Sequence, residues 1–302
     1  ISQARNSEPS VAVLVDGVLE TNPAEFNKAL FDIEQIEVLK GPQGAIYGRN
    51  AIGGAIIINT RDPADEFESQ IRLNYGNGNS FGAQGAVSGP LTDTLKFRAS
   101  VNYFDTDGFL ENEYLDRKAD PMQDLSGRVR LLWEPSDTFS ADLRLSASSL
   151  DGRALYFVIP RDVEANPFST FTTAPNANDV DTPITLDNPG ENTRDVYNAA
   201  LKMDFTLGLG TLTSVTAWNS TEEVLTGDAW DFRPAANSIF NALIGTDLNQ
   251  SQFVDLDSWS QELRLASNAE GRVSWIVGAY FVSTQRFIST GNIVDTGAGV
   301  FP

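Results

Sequence analysis

A strict two-residue alternation of apolar and polar side chains restricts the fold of this chain more than any other feature. Within 95–103 every odd position is apolar and every even position is polar or charged. The pattern recurs in 125–133, in 139–148 and in 197–207, with Leu132 and Ala200 as its exceptions. Because successive side chains of a strand point to opposite faces, each segment is predicted to be a strand with one apolar and one polar face.

The spacing of these segments favours a particular kind of β-protein. About nine strands are predicted, near 70–75, 81–89, 95–104, 124–134, 138–149, 193–208, 210–221, 258–267 and 272–287. Short connections alternate with three long ones at 105–123, 150–192 and 222–257, and the short link at 76–80 is the exception. Short turns at one end and long loops at the other are typical of an outer-membrane barrel. A soluble β-sandwich shows the same alternation but rarely needs loops of this length.

Aromatic residues near predicted strand ends suit the girdles of such a barrel, although a sandwich core would also place them there. They are Tyr75, Tyr103, Trp133, Phe139, Tyr197 and Trp275.

Composition excludes several functions. The chain has no Cys and no His, so it lacks a thiol nucleophile, an imidazole base and the usual zinc ligands. A net charge of −20 argues against nucleic acid as a partner. No run of 18 apolar residues is present, but a spanning β-strand needs only about 9–11 alternating residues. We expect no enzyme, no catalytic residues, no metal site and no cofactor.

The first 69 residues follow another pattern. A buried strand at 11–15 precedes the turn pair Asp16-Gly17, a short helix is predicted at 27–33, and strands are predicted at 36–39 and 55–59. Five glycines lie between positions 41 and 54 without a phosphate-loop or dinucleotide motif. This composition favours a tightly turned globular segment over a nucleotide site.

Two stretches of this segment, VAVLVDGV and IEQIEVLKGPQGAIYGRNAIGGAIIINTRDP, resemble the second half of the plug domain of TonB-dependent outer-membrane receptors. SQELRLAS and WIVGAYFV resemble barrel strands of the same family. Ile57 stands where the family often has Asn, and Asn59 follows two residues later on the same strand face. The plug signature carried by the resemblance comprises Glu37, Lys40, Gly41, Pro42, Gly44, Tyr47, Gly48, Arg49, Gly53, Gly54 and Asn59.

The resemblance implies a mainly β fold, in which a small α+β plug remnant is followed by about nine antiparallel strands of an incomplete transmembrane β-barrel. The family's barrel has about 22 strands around a plugged lumen. Residues 1–69 would be the C-terminal part of the plug and residues 70–302 the N-terminal portion of the barrel. Both ends look cut, so we expect a fragment that lacks the first half of the plug, the TonB box and the remaining strands.

The resemblance also implies a function. Such receptors sit in the outer membrane of Gram-negative bacteria, among lipid and lipopolysaccharide. They import scarce, bulky ligands such as ferric siderophores, cobalamin or oligosaccharides, and the TonB protein supplies the energy. The alternatives are a passive porin, or a secreted soluble β-rich binding module that would be water-soluble without its first 69 residues.

Residue roles follow as expectations. At least one of Lys40, Arg49 and Arg61 is expected to pair with carboxylates on the inner wall of the barrel, the alternative being solvated surface charge. Long loops are acidic and polar strand faces lean basic, so charge does not identify the ligand. An acidic stretch at 105–113 has oxygen ligands without calcium-loop spacing, which favours a hydrophilic loop tip. The aromatic residues Tyr114, Tyr156, Phe157, Trp230 and Phe232 are candidates for stacking on ligand, or for packing the loops together.

Overall fold

The structure is a computed structural model. It describes residues 9–20, 29–153, 184–228, 243, 245, 247–268 and 273–295. Within these residues the strands form a four-stranded sheet, a nine-stranded sheet and a small two-stranded hairpin. No described helix is long and apolar enough to cross a membrane.

The four-stranded sheet, here called the plug sheet, contains β1 (Val11–Val15), β2 (Val18–Leu19), β3 (Ile33–Lys40) and β4 (Gly54–Thr60) in the order β2-β1-β4-β3. The central strand β4 runs parallel to β1 and antiparallel to β3. A one-turn helix, α1 (Gly44–Tyr47), lies between β3 and β4. One face packs as a small core of Ala12, Leu14, Leu19, Ala51 and Ala55.

The nine-stranded sheet, here called the wall sheet, is antiparallel throughout and ordered β15-β14-β13-β12-β11-β10-β7-β6-β5. Its strands are β5 (Glu68–Gly76), β6 (Ser80–Pro90), β7 (Leu95–Thr106), β10 (Met122–Ser136), β11 (Phe139–Gly152), β12 (Glu191–Leu207), β13 (Gly210–Asp228), β14 (Asp247–Ser267) and β15 (Ile276–Asp295). The hairpin of β8 (Glu111–Asn112) and β9 (Arg117–Lys118) folds within the loop after β7.

The predicted fold class is confirmed: all nine predicted wall strands are present, most of them longer than predicted. The expected helix at 27–33 is wrong over its described residues. Asp32 has a left-handed φ of 53°, and Ile33 already pairs with Thr60 of β4. Strand pairing therefore outweighs the local helical preference here. Trp275 lies just before β15 rather than within a strand.

The two faces of the wall sheet differ as the alternation predicts. On β7, the polar side chains of Arg98, Ser100 and Asn102 are buried, whereas that of Val101 between them is 47% exposed. Near the short turns, Trp133 packs edge-on against Phe139, whose ring lies 4.8 Å from that of Phe205. An apolar outer face bordered by aromatic rings is the arrangement of a barrel that faces lipid.

The inner face is polar and is joined by hydrogen bonds between side chains. Asn102 accepts from Gln84 and donates to Asp124 at 3.2 Å. The Ser126 hydroxyl lies 3.0 Å from both the Asp124 carboxylate and the Ser148 hydroxyl and hydrogen-bonds with each of them. The plug sheet lies against this face, so the contacts between plug and wall are those on which the site depends.

Candidate functional site

Three arginines occupy directly opposed positions on neighbouring strands of the inner face. Arg130 of β10 is in register with Arg98 of β7 on one side and with Arg144 of β11 on the other. We call Arg98, Arg130 and Arg144 the arginine row. Like charges directly opposite one another destabilise a sheet, so the row requires anionic or carbonyl partners.

Arg98 forms a bidentate ion pair with Asp32, the residue immediately before β3. Its Nε donates to Oδ2 of Asp32 at 2.8 Å and its Nη2 to Oδ1 at 2.5 Å, while Nη1 donates to Glu68 at 2.7 Å. The side chains of Arg98 and Asp32 are only 5% and 8% exposed. A bidentate pair at this burial is among the stronger polar contacts in proteins.

The electrostatics of Asp32 follow from this pairing. Burial by itself raises the pKa of the Asp32 carboxyl, but hydrogen bonding and charge from Arg98, aided by Ser100 and Arg128, outweigh burial. The pKa of Asp32 is therefore lowered below its usual value, and the carboxylate is ionised at neutral pH.

Arg130 holds the end of β4. Its Nη1 donates to the carbonyls of Thr60 and Arg61 at 3.4 and 3.3 Å and lies 2.5 Å from Asp62. Its Nε and Nη2 turn back to the wall carboxylate of Asp142, the latter at 2.7 Å. One guanidinium thus joins the last residues of the plug sheet to the wall.

Arg144 and the neighbouring Arg128 hold two further points of the plug. Arg144 donates to the carbonyl of Asp16 at 2.5 Å and pairs with Asp142 at 2.6 Å. Arg128 donates to the carbonyl of Phe31 and stacks over the Phe31 ring at 5.0 Å. All four arginines therefore reach the plug.

Asp16 ties this contact back into the plug sheet. It occupies the turn between β1 and β2 with a φ of 52°. Its carboxylate accepts from both the backbone N–H and the hydroxyl of Thr60, each at 2.8 Å. Arg144 and Arg130 consequently hold adjoining corners of one unit.

The chemistry of this interface is uniform. The wall supplies cationic donors, and at these points the plug supplies carboxylates and backbone carbonyls. Such contacts are strong while intact, yet each has a ready substitute in water or in another anion, unlike an interlocked apolar core.

A cavity of about 910 Å³ lies beside the row, between the plug and strands β10–β15. The plug lines it with residues that include Asp16, Glu34, Tyr47, Arg49 and Asp62. The wall lines it with residues that include Arg130, Arg144, Lys202, Glu262, Arg264 and Tyr280.

The plug signature residues are placed around these contacts without forming a chemical site. Glu37 and Lys40 lie on β3, Gly41 and Pro42 follow it, and Asn59 lies near the end of β4. Gly44 and Tyr47 bound α1, with Gly48 and Arg49 after it. Gly54 has a φ of 154°, and a Cβ there would collide with the Leu39 carbonyl, which explains why glycine is needed.

The ion pairs seen between plug and wall have the opposite polarity to the expected one. Wall arginines hold the plug carboxylates Asp32 and Asp62, whereas plug cations were expected to meet wall carboxylates. Arg61 takes part through its carbonyl oxygen, and Arg49 lines the cavity. Pairing of Lys40, Arg49 or Arg61 side chains with the wall stays a prediction.

Of the loop residues predicted to be functional, Tyr114 and the acidic stretch at 105–113 are among the described residues. Tyr114 follows β8 and is 53% exposed. Tyr156, Phe157, Trp230 and Phe232 lie outside the described residues. In the acidic stretch, Asp107 accepts from Asn79 and Glu111 pairs with Lys118. Among the described residues no three potential ligand side chains come together around a metal position.

Sequence reasoning noted the basic polar faces but missed the row and its plug partners. The turn at 134–138 alone would pair Arg130 with Asp142, and the bulge between Trp133 and Ser136 shifts the register so that Arg130 faces Arg144. The partners Asp16, Asp32 and Asp62 carried no signal in the sequence, because which plug carboxylate meets the wall depends on how the two sheets dock.

Comparison with known proteins agrees with the resemblance. Residues 3–55 match the family model of the TonB-dependent receptor plug domain. The chain is 37% identical over 91 residues to the pesticin receptor of Yersinia enterocolitica, covering 30% of this chain and 13% of that protein. It is 36% identical over 112 residues to a vitamin B12 transporter of Vibrio vulnificus, covering 35% and 18%.

The fold extends the similarity beyond the plug. The crystal structure of the ferric yersiniabactin uptake receptor of Yersinia pestis matches 96% of this chain and 42% of its own, with a TM-score of 0.75 and 21% identity. The chain thus spans less than half the length of that receptor, and its plug and wall sheets together have the fold of part of such a receptor.

Proposed function

Because the chain carries plug and barrel elements of a TonB-dependent receptor, we propose that the protein is an outer-membrane importer whose plug is displaced by energy received from TonB. The expected boundary at 69/70 moves slightly forward, because β5 of the wall sheet begins at Glu68. The residues before Glu68 act as the C-terminal part of the plug, and the wall sheet acts as the first portion of the barrel. The membrane is the outer membrane of a Gram-negative bacterium, where lipid and lipopolysaccharide surround the apolar outer face.

The observation that carries this proposal is the polar clamp between plug and wall. Arg98, Arg130 and Arg144 hold three separate points of the plug, at Asp32, at the end of β4 and at Asp16. A passive pore has no need for a separately folded sheet fixed across its inner face. A pulled plug needs such contacts, because they must survive at rest and be exchanged under load.

The ligand is a scarce, bulky compound of the ferric siderophore, cobalamin or oligosaccharide class. It first meets the long loops, where Tyr114 and the other loop aromatics provide stacking surface. TonB then pulls on the plug, the clamp opens, and the cavity beside the row widens into a path. The residues of the plug signature serve the packing and turning of the plug, not catalysis.

The test is uptake in cells. The receptor that carries this chain is expressed in a Gram-negative strain without its own siderophore and cobalamin receptors, with and without TonB. Growth is then scored on a panel of ferric siderophores under iron limitation, and on cobalamin. The proposal predicts growth on at least one ligand only when TonB is present. Growth that is independent of TonB would indicate a passive porin, and recovery of the protein in the soluble fraction would indicate a soluble binding module.

A further inference from the structure

We propose that the arginine row is an anion-binding site which plug carboxylates occupy at rest and which anionic groups of the ligand occupy as the plug leaves. This inference rests on the proposed function and narrows its ligand class to compounds that carry several negative charges. It assigns the row a role in conduction in addition to its role as a clamp.

The geometry of the plug contacts is that of a ligand in a site. Asp32 meets Arg98 with two parallel N–H···O bonds, the arrangement by which arginine binds carboxylates and phosphates in general. Asp62 meets Arg130 through a single contact of 2.5 Å. These plug carboxylates therefore stand where the carboxylate or phosphate groups of another molecule would fit.

The row without the plug is electrostatically unsatisfied. Among the described residues of the wall, Arg130 and Arg144 share one buried carboxylate, Asp142, and Arg98 keeps the half-exposed Glu68. Arg98 and Arg144 both lie directly opposite Arg130, so their charges repel. An anion that follows the plug through the lumen relieves this repulsion and lowers the penalty for opening the clamp.

The cavity beside the row carries the same division of charge. On the wall side, Arg130, Arg144, Lys202 and Arg264 outnumber Glu262. On the plug side, Asp16, Glu34 and Asp62 outnumber Arg49. Withdrawal of the plug therefore converts a cavity whose lining carries five cationic and four anionic side chains into a cationic surface continuous with the row, which attracts anions and disfavours cations.

The proposal is tested with citrate, a small tricarboxylate, as the probe. Binding is measured by calorimetry on the purified receptor in detergent, in low-salt buffer. The test variant D32N/D62N frees the row while it preserves side-chain shape. The matched control D93N/D137N makes the same change in charge at exposed positions in two short turns of the wall sheet. Heat-dependent gel migration shows that each variant is folded.

We expect D32N/D62N to bind citrate at least tenfold more tightly than the wild type and the control do. Adding R130Q and R144Q to D32N/D62N should remove most of the gain in citrate affinity, because these two guanidiniums are the binding groups. Equal affinity in D32N/D62N and D93N/D137N would overturn the proposal, as would a gain that survives R130Q and R144Q.

Failure of this inference differs from failure of the proposed function. If citrate binding does not respond to D32N/D62N while growth still depends on TonB, the importer stands and the anion site falls. If the citrate gain appears but growth does not require TonB, the anion site stands and energised import falls.

Discussion

Neutralising Asp32 is the sharpest perturbation of the clamp. In the substitution Asp32→Asn, the buried guanidinium of Arg98 loses its charged two-pronged partner and keeps only Glu68, which is 55% exposed. Loss of one partner of a buried ion pair costs about 3–5 kcal/mol. Because Glu68 compensates in part, we take the lower end, about 3 kcal/mol.

This free energy is measurable as an opening of the plug. The sequence contains no Cys, so a single introduced cysteine reports without background from this chain. Ala55 is suitable because it is fully buried on the central strand β4, where thiol labelling requires that the plug sheet open. Labelling of Ala55→Cys follows the opening equilibrium when reclosing is faster than the reagent. At about 1.36 kcal/mol per factor of ten, Asp32→Asn raises the labelling rate about 100-fold.

Two controls determine what the rate means. Glu66→Gln makes the same change in charge at an exposed position between β4 and β5, outside the cavity lining, and should alter the rate by less than about threefold. Ile52→Cys, at a side chain 76% exposed, should label rapidly in every background and calibrates access of the reagent. An unchanged rate in Asp32→Asn would refute the clamp. So would additive effects of Asp32→Asn and Arg98→Gln, because residues that form a pair must show coupling.

The remaining predictions concern pH, a plug glycine and the lipid-facing side of the wall sheet. Because the folded-state pKa of Asp32 is lowered, its contribution to stability is present above its unfolded pKa near 3.9 and is lost as pH falls through the folded value. The protection factors of plug amides, which are exchange rates corrected for the intrinsic rate at each pH, should therefore be constant from about pH 7 to 5 and fall below about pH 4. Gly54→Ala should destabilise the plug by about 1–3 kcal/mol, because the added Cβ collides with the Leu39 carbonyl at a residue with positive φ. Gly44→Ala is the control, since a Cβ added at Gly44 has no atom within 4 Å. The rates at which a protease cleaves the plug in the two variants measure the difference. Leu73→Arg, on the outer face of the wall sheet, should destabilise the folded barrel in lipid by about 2–4 kcal/mol. The fraction of protein that shows heat-dependent gel migration, which reports the folded barrel, should therefore fall. Gln70→Arg, on the face towards the plug, should change that fraction little.

The wall sheet could be predicted from the sequence because its information is local. A period of two places Leu95 and Phe97 on one face and Lys96 and Arg98 on the other, whatever the rest of the chain does. Short turns then set which strands are neighbours. Strand ends were predicted short, as in 210–221 against Gly210–Asp228, because polar residues near the loops weaken the alternation while backbone pairing continues.

The plug and its contacts were less predictable. Residues 29–33 have no turn or proline signal against a helix, and only pairing of Ile33 with Thr60 makes the segment extended. The acceptors of the clamp are two carboxylates and several backbone carbonyls. Every residue has a backbone carbonyl, so the sequence does not show which carbonyls accept hydrogen bonds from the wall. Asp16, Phe31 and Thr60 are identified as acceptors only from the way in which the two sheets dock.

The most direct test of the account is the labelling rate of the Ala55→Cys variant in living cells that are importing a ligand found in the growth assay. Cells with TonB and an energised inner membrane are compared with cells that lack TonB, with Ile52→Cys as the access control in both. We expect the thiol introduced at position 55 to label faster only when TonB, energy and ligand are all present, because the pull that breaks the clamp then also opens the plug sheet, whose own core buries Ala55. Equal labelling of that thiol in both strains while import proceeds would contradict opening of the plug sheet as the basis of transport.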